Sequence, residues 1–170
     1  MQLISVLSYT SLIMPSVSNH KATPLDRILV IDDLPLIPLA FQEVFRTVNP
    51  STLVEYSENI FTALSAKAWA NTVFDLVITG SLQDNYSANL QQAVTELRKR
   101  FGQPLIMIYS SAYDPIIIEK MSPTGIDAYV HKYESIQEIR RAYEQLSQGE
   151  TYVSSIFHTL YYEYGHGVRK

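Results

Sequence analysis

The chain contains no cysteine, which excludes disulfide frameworks, thiolate zinc sites, iron–sulfur clusters and cysteine nucleophiles together. A surplus of positive charge is also missing. Thirteen Lys and Arg stand against 17 Asp and Glu, a formal net charge of −4, so there is no overall basic field to hold a nucleic-acid backbone and direct nucleic-acid binding is not expected. Long apolar runs are absent as well. Residues 1–19 carry no charge and include the apolar pieces Leu3–Leu7 and Leu12–Met14, but Ser5, Ser8, Thr10 and Ser11 interrupt them. With no basic residue ahead of them and no Ala-x-Ala-like cleavage site behind, they resemble neither an export signal nor a membrane span. Residues 1–25 are expected to form a poorly ordered leader, and the protein to be cytoplasmic and free of membrane. Missing too are a phosphate-gripping Gly-x-x-x-x-Gly-Lys loop, a dinucleotide-binding Gly-x-Gly-x-x-Gly turn, internal repeats and low-complexity segments.

What is present is a composition of 46% hydrophobic and 18% charged residues over 170 positions, enough for one globular domain with an appendage and unlike a disordered tail. From Arg27 onward, short β-branched runs alternate with stretches of helical period, the mark of a parallel α/β sheet. The strands fall at Ile28–Ile31, Leu53–Tyr56, Leu76–Thr79, Leu105–Tyr109 and Ala128–His131, mostly apolar on both faces, as strands covered by helices on each side must be.

Between them, Leu36, Leu39, Ala40, Val44 and Val48 recur at helical spacing, as do Leu90, Ala93, Val94, Leu97 and Phe101. Residues 59–70 read as another helix, with Ile60, Ala63, Leu64 and Ala68 inward and Trp69 closing the core near its end. Pro115 after Asp114 opens a short helix that Pro123 and Gly125 stop. The last crossover begins at a capping box of Ser135 and Glu138, buries Ile136, Ile139, Tyr143 and Leu146, and ends at Gly149. The expected architecture is a doubly wound, five-stranded parallel sheet, (βα)5, over residues 26–149. Residues 150–170, with Tyr152, Phe157, Tyr161, Tyr162 and Tyr164, form an aromatic extension in which Ile156, Leu160 and Tyr164 would share one helix face.

In a doubly wound sheet, functional groups gather outside the carboxyl ends of the strands. The first strand ends in Ile31-Asp32-Asp33, two adjacent carboxylates of the kind that hold an oxygen-loving cation. The fourth ends Met107-Ile108-Tyr109-Ser110-Ser111 and the fifth Tyr129-Val130-His131-Lys132. An acidic pair, a hydroxyl and a lysine at three ends of one sheet, with helical crossovers between, resemble the receiver domain of two-component response regulators. That resemblance covers Arg27 to Gln148 and implies a flavodoxin-like fold acting in bacterial phosphorelay signalling and not as an enzyme.

The resemblance places Asp32 and Asp33 as the acidic pair for Mg²⁺. It makes Ser110 the hydroxyl that turns toward the phosphoryl group, Lys132 the lysine that contacts it, and Tyr129 the aromatic switch. The family's acceptor is an Asp closing the third strand, and here that position is Gly80. A glycine offers no carboxylate to attack phosphorus and no oxygen for the metal shell, so phosphorylation and Mg²⁺ affinity are both weakened. Asp75 starts the same strand at the opposite end of the sheet. Asp84, four residues downstream with Ser81 between, is the alternative acceptor. Tyr133 replaces the proline that follows the lysine in many receivers, and His131 is expected to face a helix or solvent.

These residues imply a degenerate receiver, or pseudo-receiver, that binds a protein partner or a second copy of itself, with Lys132 released to pair with Asp32 or Asp33. The docking face usual in receivers would include Glu119, Lys120, Arg140, Arg141 and Glu144. Gly149-Glu150-Thr151-Tyr152-Val153-Ser154 is similar to the run that joins receivers to LuxR-type helix-turn-helix outputs, so regulation of transcription through a partner is the implied role. The alternatives are a phosphorelay receiver using Asp84 and a Mg²⁺-dependent phosphohydrolase built on Asp32, Asp33, Ser110 and Lys132. The last lacks the Asp-x-Asp pair such enzymes use.

Overall fold

A computed structural model describes residues 24–80 and 90–165. Six parallel strands form one sheet in the order β2-β1-β3-β4-β5-β6. They are β1 (Arg27–Ile31), β2 (Leu53–Ser57), β3 (Leu76–Thr79), β4 (Leu105–Ser110), β5 (Ala128–His131) and β6 (Tyr152–Val153). The α-helices are α1 (Leu36–Arg46), α2 (Ile60–Ser65), α3 (Leu90–Phe101), α4 (Pro115–Thr124), α5 (Ile136–Ser147) and α6 (Ser155–Leu160), the last followed by a π-helical turn.

Every residue of β3 and β5 is buried, because the crossovers cover both faces of the sheet. On one face Ile28, Val30, Ile78, Met107 and Val130 meet Phe41 and Phe45 of α1 and Ile139, Tyr143 and Leu146 of α5. On the other, Leu29, Ile31, Val77, Ile106 and Tyr129 meet Ala63 of α2, Val94, Leu97 and Phe101 of α3, and Phe157 of α6. Leu25 is buried just ahead of β1, its carbonyl accepting the Tyr143 hydroxyl at 2.9 Å.

Four differences from the sequence reading have physical causes. The sheet has six strands and not five. Gly149, at φ +78°, ends α5 in a Schellman turn, with Gly149 N–H on the Leu146 carbonyl and Glu150 N–H on that of Gln145. The chain then lies beside β5, where Tyr152 N–H bonds the Asp127 carbonyl and Ser154 N–H that of Tyr129. Two residues are too few to show a period.

The buried stripe of α1 is Pro38, Phe41 and Phe45, while Leu36 is 73% and Leu39 63% exposed. Phe41 and Phe45 stack at 5.2 Å, and two rings four residues apart bury more area than the leucines, so they set the helix's rotation. The helix read over 59–70 stops at Ser65 and resumes as a 3-10 turn over Lys67–Trp69. Arg100 stabilises the break by donating to the carbonyls of Leu64, Ala66 and Trp69 at 3.2, 3.0 and 2.6 Å. Trp69 packs edge-on against Phe74 and Phe101. Finally, only half of the capping box forms. Ser135 Oγ accepts the Glu138 N–H, whereas the Glu138 carboxylate turns to Arg141 and to the Tyr152 hydroxyl, and Ile136 stays exposed.

Candidate functional site

The ends of β1, β3, β4 and β5 meet at one edge of the sheet, because parallel pairing aligns Ile31 with Thr79 and Ser110 with His131. Asp32, one residue beyond β1, is 1% exposed. Its Oδ1 accepts the Leu34 N–H at 3.0 Å, and its Oδ2 accepts the Lys132 ammonium at 2.8 Å across 100 residues of sequence. Asp33, the second member of the pair, is exposed.

Gly80 lies against this ion pair, held by its N–H on the Ile31 carbonyl at 2.9 Å. A Cβ built on Gly80 would stand 1.9 Å from Asp32 Oδ2, 3.0 Å from its Cγ and 3.2 Å from Lys132 Nζ. The Asp32 carboxylate therefore fills the space that any side chain at position 80 would need. Glycine is required by this close approach and not by its backbone angles.

Lys132 is fixed at both ends of its residue. Its N–H bonds the Ser110 carbonyl at 3.0 Å, its carbonyl accepts the Tyr109 hydroxyl at 3.2 Å, and its ammonium lies 5.7 Å from the centre of the Tyr109 ring. Burial first, and then the Asp32 charge, push the Tyr109 phenol upward. Ser110 Oγ accepts the Ala112 N–H at 3.1 Å, within its own loop.

Tyr129 is buried on the opposite face of the sheet. Its hydroxyl donates to the Ala112 carbonyl and accepts the Asp114 N–H at 3.3 Å, so it pins the loop between β4 and α4. Burial holds its phenol far above the usual tyrosine value. His131 is buried beside Phe157, and its Nδ1 accepts the Tyr133 N–H at 3.1 Å.

The sheet thus brings Asp32, Gly80 and Lys132 into contact, with Ser110 alongside through the backbone of Lys132. Asp75 stands at the other end of β3, bonding the N–H groups of Asp26 and Arg27. Asp84 and Ser81 lie outside the described residues. The sequence reading did not find Tyr109 or Phe157. Tyr109 was available as the residue before Ser110 on an alternating strand, whereas Phe157 carried no signal beyond the aromatic density of its segment.

Mg²⁺ fits the residues present poorly. It is held by one or two carboxylates, with water and phosphate filling its octahedron, but one Asp32 oxygen is held by the Leu34 N–H and the other by Lys132, Gly80 adds none, and of the acidic pair Asp33 alone is exposed. Among the described residues no group of three His, Asp or Glu is arranged to hold a metal.

No protein-family model matches the chain, and no curated protein does. Solved structures do. One is a LuxR-family DNA-binding response regulator from Silicibacter pomeroyi, with a TM-score of 0.63 and 18% identity over 78% of this chain and 99% of that one. Another is the isolated REC domain of RcsB from Salmonella enterica serovar Typhimurium in the presence of BeF3⁻, at 0.62 and 14%, over 79% and 96%. A response regulator from Thermotoga maritima gives 0.57 and 18%, over 74% and 98%. The chain therefore has the fold of response-regulator receiver domains. At the carboxyl end of β3 this chain has a glycine, with the buried Asp32 carboxylate and its partner Lys132 packed against it.

Proposed function

We propose that this chain is a receiver-type signalling module that works without aspartyl phosphorylation, by binding a protein partner or a second copy of itself. The observation that carries this reading is the Asp32 carboxylate in the volume beside Gly80, already neutralised by Lys132. A phosphoryl group needs a nucleophile, a metal and a free lysine; here the first is a glycine and the other two are pre-empted by one ion pair. The pair holds the strand ends in one arrangement, so output would follow from the abundance or location of the protein and not from a phosphorylation cycle. Fold neighbours include DNA-binding regulators, one described as two RcsB dimers bound to two parallel DNAs. In this chain the net charge of −4 argues for an effect on transcription exerted through a partner. No described helix is long and apolar enough to cross a membrane.

The test is intact mass after incubation with acetyl phosphate and Mg²⁺, beside a Gly80→Asp variant. The wild type is expected to stay unmodified. A phosphoryl group on the wild type, mapped to Asp84 or elsewhere, would restore it to the phosphorelay and overturn the proposal. A hydrolase reading is tested by Mg²⁺-dependent phosphatase turnover that Asp32→Asn abolishes.

A further inference from the structure

The two edges of the sheet are guarded differently. At one, β6 is two residues long, too short to template another strand. At the other, β2 has five residues and a single charge, Glu55. That charge is answered within the chain, where the Arg27 guanidinium and the Trp69 indole N–H both donate to it. Lysine and proline, which commonly keep sheet edges apart, are missing from the strand. Its surroundings are apolar, with Leu53, Tyr56 and Phe61 all exposed. An edge of this kind pairs readily with another chain unless something covers it.

Parallel pairing turns alternate residues of β2 toward β1. Leu53 N–H bonds the Asp26 carbonyl at 2.7 Å, and the Ser57 carbonyl accepts the Asp32 N–H at 3.1 Å. Val54 and Tyr56 therefore present their backbone groups to the free edge. Gln42 of α1 reaches over that edge. Its Oε1 accepts the Val54 N–H at 2.9 Å and its Nε2 donates to the Thr52 carbonyl at 2.8 Å. A primary amide carries the acceptor and the donor of a peptide group, so Gln42 makes the two bonds that one residue of a parallel neighbour would make. Among the described residues nothing further closes the edge at the Val54 carbonyl and the Tyr56 N–H.

We propose that Gln42 is a stand-in strand, and that the edge it closes is a self-association surface that pairs antiparallel with β2 of a second copy. The backbone sets the fit. With a two-fold axis at Val54, each Val54 N–H meets the Val54 carbonyl of the other copy, and each Tyr56 N–H meets the Thr52 carbonyl of the other copy. The groups that the amide covers are thus complementary to those it leaves open. Leu53 falls opposite Glu55 of the second copy, so no like charges face each other. Because β6 offers no comparable edge, association stops at a dimer and does not continue into a fibre. The surface uses no residue of the Asp32–Lys132 pair, so the inference stands apart from how the chain handles phosphate.

Sedimentation velocity on the full chain, over a wide range of concentration, tests it. Gln42→Leu keeps a good helix former at the position and loses both bonds. It should form a dimer at least roughly 10-fold tighter than any the wild type forms. Gln42→Lys loses the same bonds but sets a charge at the edge, and should sediment as the wild type does. Adding Tyr56→Pro to Gln42→Leu removes an outward N–H without touching the ladder to β1, and should abolish the dimer. A Gln42→Leu protein that circular dichroism shows to be folded and that sediments like the wild type overturns the inference. So does a dimer that survives Tyr56→Pro, or equal association of Gln42→Lys, which would trace the effect to loosened structure. If Gln42→Leu does not fold, amide exchange in the wild type decides. The Val54 N–H should exchange at least roughly 10-fold more slowly than the Tyr56 N–H, and equal rates would mean that Gln42 does not close the edge.

Discussion

Replacing Gly80 with alanine adds one methyl group at the point where the structure has least room. The new Cβ would lie 1.9 Å from Asp32 Oδ2, and ordinary van der Waals contact begins near 3.4 Å. The carboxylate must retreat by about 1.5 Å from a position it shares with the Lys132 ammonium at 2.8 Å, and Asp32 is too short to do so while keeping both partners. Breaking a buried pair costs about 3–5 kcal/mol when one charge is left uncompensated. Lys132 is 23% exposed and can rehydrate, which lowers the figure to about 2–3 kcal/mol. Gly→Ala returns roughly 0.4–1 kcal/mol through the unfolded chain, because the Gly80 backbone suits any residue. The net expectation is a loss of about 1–2 kcal/mol, read as a lower urea midpoint at unchanged slope. Lys132→Met alone should cost about 2 kcal/mol, and the double variant little more than either single one, a coupling of at least about 1 kcal/mol. A Gly80→Ala protein as stable as the wild type, or strict additivity with Lys132→Met, would refute the claim that Asp32 occupies this space as one half of a stabilising pair.

Arg100→Ala removes the donor to three carbonyls at the break after α2, and should cost about 2 kcal/mol and speed proteolysis within residues 60–70; unchanged cleavage would contradict that role. Ser135→Ala removes the cap of α5 and should cost about 1 kcal/mol, seen as a small fall in the thermal midpoint. The phenols of Tyr129 and Tyr152 are raised from an ordinary value of 10.0, chiefly by burial. A raised phenol means the fold favours the protonated form, so their contribution is complete below pH 10 and is lost as pH rises past the unfolded value. Tyrosinate absorbance should therefore appear in two phases, the later one coinciding with unfolding. A single phase near pH 10 with the fold intact would count against the burial.

The legible parts of this fold were those with a period or a cap. Ala93, Val94, Leu97 and Phe101 face inward in α3 as their spacing requires, and Pro115 opens α4 and Gly125, at φ +75°, ends it; Pro123, also read as a stop, instead lies inside the last turn, so the glycine and not the proline ends the helix. Spacing failed on α1, where leucines and phenylalanines offered two competing stripes and packing against Tyr109 and Tyr143 chose the rings. It failed again at β6, whose two residues are placed by the turn at Gly149 and not by pattern. At the site, Asp32, Gly80, Ser110 and Lys132 could be brought together from sequence because strand ends of a parallel sheet must converge. Their pairing could not be fixed in the same way. Asp32 and Asp33 are adjacent in sequence and chemically identical, and only the Leu34 N–H and the space beside Gly80 select Asp32 as the partner of Lys132.

The most direct measurement of whether that site is closed is a set of amide chemical shifts for Gly80, Ser110 and Lys132, recorded while Mg²⁺ and then beryllofluoride, a phosphoryl mimic, are added. A space filled by Asp32 and a lysine already paired predict that the three resonances stay where they are at every concentration. Saturable movement of Gly80 and Lys132 together would mean that the pair opens to admit metal and phosphoryl group, and would contradict the account.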